Sequence, residues 1–285
     1  LQNRGKSATL KLSKTKYSGG ERMEIEARER WNREAAEYQR TYIRGENEYN
    51  GFLMDFLANN CGLAPGSRVL DIGCGVGKYG VYFARMGCDV VLTDISPEML
   101  RFAEKNLADT GGKWHTLCGD WREISPDDPA LCPKFDVAIS TMSPAVSDDE
   151  TVAKMSAVTD GWCLVTQFCR WEDPLRGEFC RRLGLPEKPV IGNIEDLGGG
   201  IIRSVSACGY TPLTAYQDYG WADYRTPEES AARFLARYFD SEPDESTKTV
   251  ALAAAQEMTD DLGRVRDAVD TRVVWVYWTT KNGGR

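Results

Sequence analysis

Three glycines at alternate positions behind a short apolar run constrain this chain more than any other feature. Residues 68–80 read R-V-L-D-I-G-C-G-V-G-K-Y-G: Val69, Leu70 and Ile72 surround one acid, Asp71, and Gly73, Gly75 and Gly77 follow. Such a run is what a parallel strand buried on both faces looks like. Glycines at this spacing let the backbone turn tightly and approach a ligand closely, because no Cβ stands in the way. Residues 79–85 have helical composition, and the first N–H groups of a helix find no partner within it. Strand, turn and helix start together form a cradle of nucleotide size.

The same alternation continues downstream. Residues 88–93 form a second apolar strand ending at Asp94, and Ser96-Pro97-Glu98 opens a helix with a capping hydroxyl and a proline at its first position. A third strand over 114–118 ends at Gly119-Asp120-Trp121, a fourth over 135–140 ends at Thr141-Met142-Ser143-Pro144, and a fifth covers 161–168. Strands alternating with helices at this period predict an α/β fold with a doubly wound, mostly parallel sheet. Right-handed crossovers place the C-terminal ends of the parallel strands on one rim. Further on, the pattern predicts helices over 172–186 and 201–207, a strand over 211–216, helices over 226–239 and 248–268, and a last strand over 271–279.

Three divisions are expected. Residues 1–22 hold Arg4, Lys6, Lys11, Lys14, Lys16 and Arg22 against a single acid, Glu21, and read as a basic flexible tail. Residues 23–62 read as an N-terminal helical lid. The core spans 63–285, with a cap inserted at about 217–268. A net charge of −8 sets the surface against nucleic acid and anionic membranes. No stretch approaches the roughly 18 apolar residues of a membrane helix, so a cytoplasmic protein is expected. Nine cysteines contain no C-x-x-C pair and read as reduced thiols, and His115, the only histidine, leaves no basis for a histidine-built zinc site.

Residues 75–80 also satisfy G-x-G-x-x-G, the dinucleotide spacing. Asp71 argues against that ligand, because a carboxylate at the strand tip repels an incoming pyrophosphate. S-adenosylmethionine has an ammonium and a sulfonium and no phosphate. Here the chain resembles the class I S-adenosylmethionine-dependent methyltransferases, over roughly residues 24–170, with V-L-D-I-G-C-G-V-G at 69–77 as the most specific part.

The resemblance implies a seven-stranded sheet with an antiparallel last strand, S-adenosylmethionine as cofactor and S-adenosylhomocysteine as product. It places Asp71, Gly73, Cys74, Gly75 and Gly77 at the methionine end of the cofactor. Asp94 falls where the family puts an acid on the ribose hydroxyls, and Asp120 where the adenine amino group is met, with Trp121 beside the ring. Ile95, Met99 and Ser140 complete the candidate cofactor contacts. Read as residues alone, Asp94 also suits a turn, Asp120 a helix cap, and Ile95 and Met99 the core. The helix W-N-R-E-A-A-E-Y at 31–38 has the form W-x-x-x-A-x-x-Y that lids the cofactor in small-molecule members, which puts Tyr38 near the methionine carboxylate.

Methyl transfer is an in-line displacement at an already activated carbon, so positioning and desolvation suffice unless the acceptor arrives protonated. The fourth strand ends in T-M-S-P at 141–144. The N-P-P-Y of amino-methylating enzymes is missing there, which argues against base or glutamine methylation. The expectation is a methyltransferase for a small-molecule acceptor, with no metal. Trp31, Tyr42, Ser143, Trp221 and Tyr224 are the candidate substrate contacts. The alternatives are an RNA or protein methyltransferase served by the basic tail, and a module that binds the cofactor without catalysis.

Overall fold

The apolar run around Asp71 becomes the strand about which the sheet is ordered. The computed structural model describes residues 19–43, 48–187, 194–239 and 241–281. Helices α1 (Gly19–Ile43) and α2 (Glu48–Cys61) precede β1 (Arg68–Ile72), α3 (Lys78–Met86), β2 (Asp89–Asp94), α4 (Pro97–Leu107), β3 (Lys113–Cys118) and β4 (Phe135–Thr141). Then come α5 (Asp149–Ala157), β5 (Thr159–Glu172), α6 (Pro174–Leu183), α7 (Ile194–Ala207), β6 (Leu213–Arg225), α8 (Pro227–Tyr238), α9 (Glu245–Gln256) and β7 (Val265–Thr279). The strand order is β3-β2-β1-β4-β5-β7-β6. Strands β1 to β5 run parallel, while β7 runs antiparallel to both of its neighbours. β1 lies between β2 and β4, where the winding reverses, and open α/β sheets bind ligands at that crevice.

β1 is held from both faces. Val69 joins Leu53 and Leu57 of α2, whereas Leu70 and Ile72 join Val152 and Met155 of α5 and Ile201 and Val205 of α7. Each fully buried aliphatic side chain contributes roughly 1.5–3 kcal/mol, which fixes the register that delivers Asp71 and the glycines to the rim. The helix starts are capped as their sequences foretell. Ser96 Oγ accepts from Met99 N at 3.1 Å, and reciprocal capping boxes tie Asp148 to Thr151 and Thr226 to Glu229. All nine cysteines are free. No helix among the described residues is long and apolar enough to cross a membrane.

Four features differ from the sequence reading. The predicted flexible tail over 1–22 overlaps α1, which already runs from Gly19, Glu21 and Arg22 being helix formers; residues 1–18 lie outside the described residues. α2 belongs to the main core through Leu53, Leu57 and Cys61, leaving α1 alone as a covering element. The segment at 219–225 continues β6, paired throughout with β7 from Leu213↔Tyr277 to Arg225↔Val265, and β7 starts at Val265 instead of 271. The helix expected over 248–268 accordingly stops at Gln256.

β5, β6 and β7 overshoot the rim. Thr141, the last residue of β4, pairs with Thr166, and β5 continues six residues beyond it to Glu172, about 20 Å of strand. This three-stranded extension has its own small core, in which Phe179 of α6, Phe234, Leu235 and Tyr238 of α8 and Ala251 and Ala255 of α9 close on Val265. Phe179 and Phe234 stack at 4.6 Å.

Candidate functional site

The turn after β1 is left-handed at all three glycines, with φ of 69° at Gly73, 55° at Gly75 and 75° at Gly77. Two of them are also needed for close approach. A Cβ on Gly73 would stand 1.9 Å from Ser143 Oγ, and one on Gly77 would stand 2.8 Å from the Ala103 Cβ on α4. Gly75 faces open space, its nearest neighbour being Met99 Sδ at 4.0 Å. The turn therefore packs against the loop after β4 on one side and α4 on the other, and stays open in the middle.

Two acids stand behind it. Asp94, 9% exposed, accepts from Gly75 N at 2.9 Å through one carboxylate oxygen and from Ser96 N at 2.8 Å through the other. A carboxylate has about four acceptor sites, so two remain for donors arriving from the rim. Burial pushes the Asp94 carboxyl up, and the N–H groups of Ser96 and Gly75 pull against that. Asp71 is 0% exposed, and neither of its oxygens has a hydrogen-bond partner among the described residues. Burial, with Asp94 adding like charge, pushes its carboxyl to about 8. Such a group offers no open surface, and a cation held nearby would favour its ionised form. Cys74, beside both acids, has its thiol pushed well up by burial and then by Asp94 and Asp71.

Helix α1 crosses this end of the rim. Asn32 Oδ1 accepts from Ser96 Oγ at 2.7 Å, and Gln39 exchanges paired amide bonds of 2.9 Å with Asn106, which also donates to Val76 O at 2.9 Å. Ala35, Val76 and Met99 form a buried cluster onto which Trp31 and Phe102 lean. These bonds clamp α1 to the glycine turn and to α4. The polar clamp residues Asn32, Gln39 and Asn106 carry no pattern in the sequence that marks them, since each acts on a partner about 64 or more positions away.

The remaining candidates divide by burial. Ile95 is half-buried at the rim, whereas Met99 is buried in the α1 cluster. Asp120 sits half-buried beyond the end of β3, its Oδ1 accepting from Arg122 N at 2.9 Å, so it forms its own turn. Trp121 is 2% exposed in the core, with Nε1 donating to Thr151 O at 3.3 Å. Ser140 is fully buried with its hydroxyl donating to Ile72 O at 3.0 Å, tying β4 to β1.

Ser143 is buried against Gly73, its Oγ accepting from Ala145 N at 3.2 Å. Trp31 is half-buried and meets Tyr38 edge-on at 5.9 Å, Tyr38 being 46% exposed. The Tyr42 side chain lies outside the described residues. Trp221 and Tyr224 lie on β6, and alternation sends them to opposite faces. Trp221 is half-buried in an aromatic group, while Tyr224 is 52% exposed with the Arg264 guanidinium over its ring. His115 is exposed on β3. Met142, next to Ser143, has φ of 51°, a conformation side chains rarely take, held by Met142 N donating to Thr166 O at 3.0 Å. Strain of this kind gathers at functional sites, and T-M-S-P gave no sign of it. Among the described residues no three His, Cys, Asp or Glu side chains gather as a metal would need.

Residues 69–160 match the family described as a methyltransferase domain. A magnesium-protoporphyrin O-methyltransferase of Rhodobacter capsulatus is 41% identical over 76 residues, 26% of this chain and 31% of that protein. A 23S rRNA (uracil(1939)-C(5))-methyltransferase of Shewanella sediminis is 43% identical over 47 residues, 16% of this chain and 11% of that protein. The chain spans under a third of the length of the curated relatives it matches. The crystal structure of magnesium protoporphyrin IX methyltransferase from Synechocystis, with bound SAH, superposes with a TM-score of 0.53 at 13% identity, covering 90% of this chain and 99% of that one. At that identity the likeness is one of fold.

Proposed function

We propose, from the premise that residues 69–160 of this chain are a methyltransferase domain set in the class I methyltransferase sheet, that the protein moves a methyl group from S-adenosylmethionine to a small-molecule acceptor. The observation that carries this reading is the Asp71 carboxyl, buried without a hydrogen-bond partner among the described residues behind a left-handed glycine turn. A buried acid with no donor of its own is compensated by a cationic ligand and opposed by a pyrophosphate.

S-adenosylmethionine supplies a methyl group on a sulfonium, already activated for displacement. The chain supplies position and dryness. Gly73, Gly75 and Gly77 give the ligand a surface without side chains, Asp71 sets a negative field beneath it, and Asp94 has acceptor sites left for hydroxyl donors. α1, clamped through Asn32 and Gln39, excludes water from that end of the rim, and Tyr38 is a phenol on it that can donate to a carboxylate. Ile95 and Asp120 line the rim beyond Asp94, on the side assigned to the adenine.

Isothermal calorimetry tests the reading. S-adenosylhomocysteine is expected to bind and NADH to give no heat; binding of NADH alone would overturn it. A small-molecule acceptor is supported by the net charge of −8 and by the half-buried aromatic residues past the rim. Removal of residues 1–18 is expected to leave transfer to a small acceptor intact, whereas an RNA or protein substrate would lose the basic segment it docks on.

A further inference from the structure

The extension of β5, β6 and β7 has one face that the cofactor reading leaves without a task. Strand register puts Phe168, Trp171, Tyr219 and Trp221 together on it, along with Val273, Thr271 and Val269. Phe168 meets Trp171 edge-on at 5.0 Å, Trp171 meets Trp221 at 5.3 Å, and Tyr219 lies 5.5 Å from Trp221. All four rings are half-buried. The Trp171 indole N–H has no hydrogen-bond partner among the described residues and is shielded from water, a costly state for a donor.

This wall adjoins the turn that receives the cofactor. Ser143 touches Gly73, Gln167 Nε2 donates to Ser143 O at 2.9 Å, and Met142, Phe168 and Tyr219 pack on the same cluster.

Two residues up each strand from Trp221 and Val269, about 7 Å, stand Asp223 and Asp267, paired across β6 and β7. Two guanidiniums meet them. Arg225 bonds Asp223 and Asp267, and Arg233 of α8 reaches Asp267 at 3.3 Å. Arg237, one turn further along α8, is exposed and makes no ion pair among the described residues. It lies within electrostatic reach of Tyr38 on α1 and of Asp173, the residue after β5. This places the cation near both the covering helix and the end of β5.

The geometry points to an acceptor site for a flat, unsaturated molecule bearing an anionic group: Phe168, Trp171, Tyr219 and Trp221 hold the ring system, and Arg233 and Arg237 hold the anion. Rings stack and meet edge-on with a planar guest, which a saturated guest of equal size cannot match, and a guanidinium fork suits a carboxylate. The assignment rests on the methyltransferase reading for the guest's role as acceptor, not for its binding.

Three probes separate flatness from charge: 2-naphthoate, 2-naphthol and decahydronaphthalene-2-carboxylate, titrated into the full chain with and without saturating S-adenosylhomocysteine. 2-Naphthoate is expected to bind at least tenfold more tightly than either of the others, and to shift the Trp171 indole N–H resonance in the unmodified chain. Trp221→Ala should weaken 2-naphthoate at least tenfold, and Arg237→Gln should bring it to the level of 2-naphthol while leaving S-adenosylhomocysteine affinity unchanged. Should Trp221→Ala fail to fold, Trp221→Leu and the resonance shift decide the same point. Equal binding of the three probes, or an unmoved resonance, overturns the site. Loss of S-adenosylhomocysteine affinity in Arg237→Gln also overturns it, assigning the arginines to the cofactor. If the unmodified chain ignores S-adenosylhomocysteine yet ranks the probes as expected, the proposed function fails and the site stands.

Discussion

Between β1 and β2 the site is made of backbone, whereas on the extension of β5, β6 and β7 it is made of side chains. On the first side a left-handed turn at Gly73, Gly75 and Gly77 is locked by Asp94 accepting from Gly75 N and Ser96 N. On the second, Phe168, Trp171, Tyr219 and Trp221 project from strands whose pairing joins residues more than forty positions apart. The difference teaches that the two sides answer differently to substitution. A backbone site tolerates almost no added atoms, while a side-chain wall can change what it accepts without disturbing the sheet beneath.

The largest expected effect breaks the backbone side. Gly73→Ala forces a Cβ against Ser143 and keeps φ at 69°, so stability should fall by ~1–3 kcal/mol from overpacking alone, and S-adenosylhomocysteine binding should vanish. Gly66→Ala is the control: its φ is 88° but nothing lies within 4 Å of the added atom, so urea denaturation should show the smaller loss and binding should survive. Equal losses in the two variants would mean that close approach at Gly73 has no weight.

Next comes Asp94→Ala, which removes a charged acceptor from two backbone donors. Cofactor affinity should drop by ~1.5–3 kcal/mol by calorimetry, and unchanged affinity would take Asp94 out of the site. A pH effect follows from Asp71. Its carboxyl is raised in the folded chain to about 8 by burial and by Asp94, so its contribution to stability is fully present below the ordinary carboxylate range and is lost as pH rises through about 8. Asp71→Asn should flatten the decline in Tm between pH 5 and 8.5; an identical slope in the variant would contradict the raised carboxyl.

The smallest effect belongs to the far face of the extension. Tyr224 is exposed beneath Arg264, and Tyr224→Ala should change stability by under ~0.5 kcal/mol and leave 2-naphthoate binding alone. A loss there equal to that of Trp221→Ala would place the acceptor on the wrong face.

Legibility in the sequence divides along the same line. The turn at 73–77 was readable because strand, glycines and helix start are local, and the chemistry of Asp71 discriminates among ligands without knowledge of the fold. The strand ends at Asp94 and Asp120 were readable for the same reason. The depth of a side chain was not: Trp121 and Ser140 lie on rim segments, yet Trp121 turns into the core beneath α5 and Ser140 binds Ile72 O. Nor was the length of β6. Gly220 and the acids Asp218 and Asp223 resemble a loop, and only pairing with β7 residues about fifty positions later makes them strand. Half-buried and exposed residues alternate from 215 to 221 in the structure, but Tyr216 on the exposed side and Gln217 on the half-buried side blur that alternation in the sequence. The clamp of α1 through Asn32 and Gln39 left no pattern, since amide pairs depend on the partner the fold supplies.

The central claim is that Asp71 waits for a cation. At pH 7 its carboxyl, raised to about 8, keeps its proton in the free chain, and a cationic ligand nearby favours the anion. Calorimetry of S-adenosylhomocysteine binding at pH 7 in two buffers of different ionisation enthalpy counts the protons exchanged. The account predicts net release of a large fraction of one proton in the unmodified chain and none in Asp71→Asn; proton uptake, or the same count in both, would contradict it.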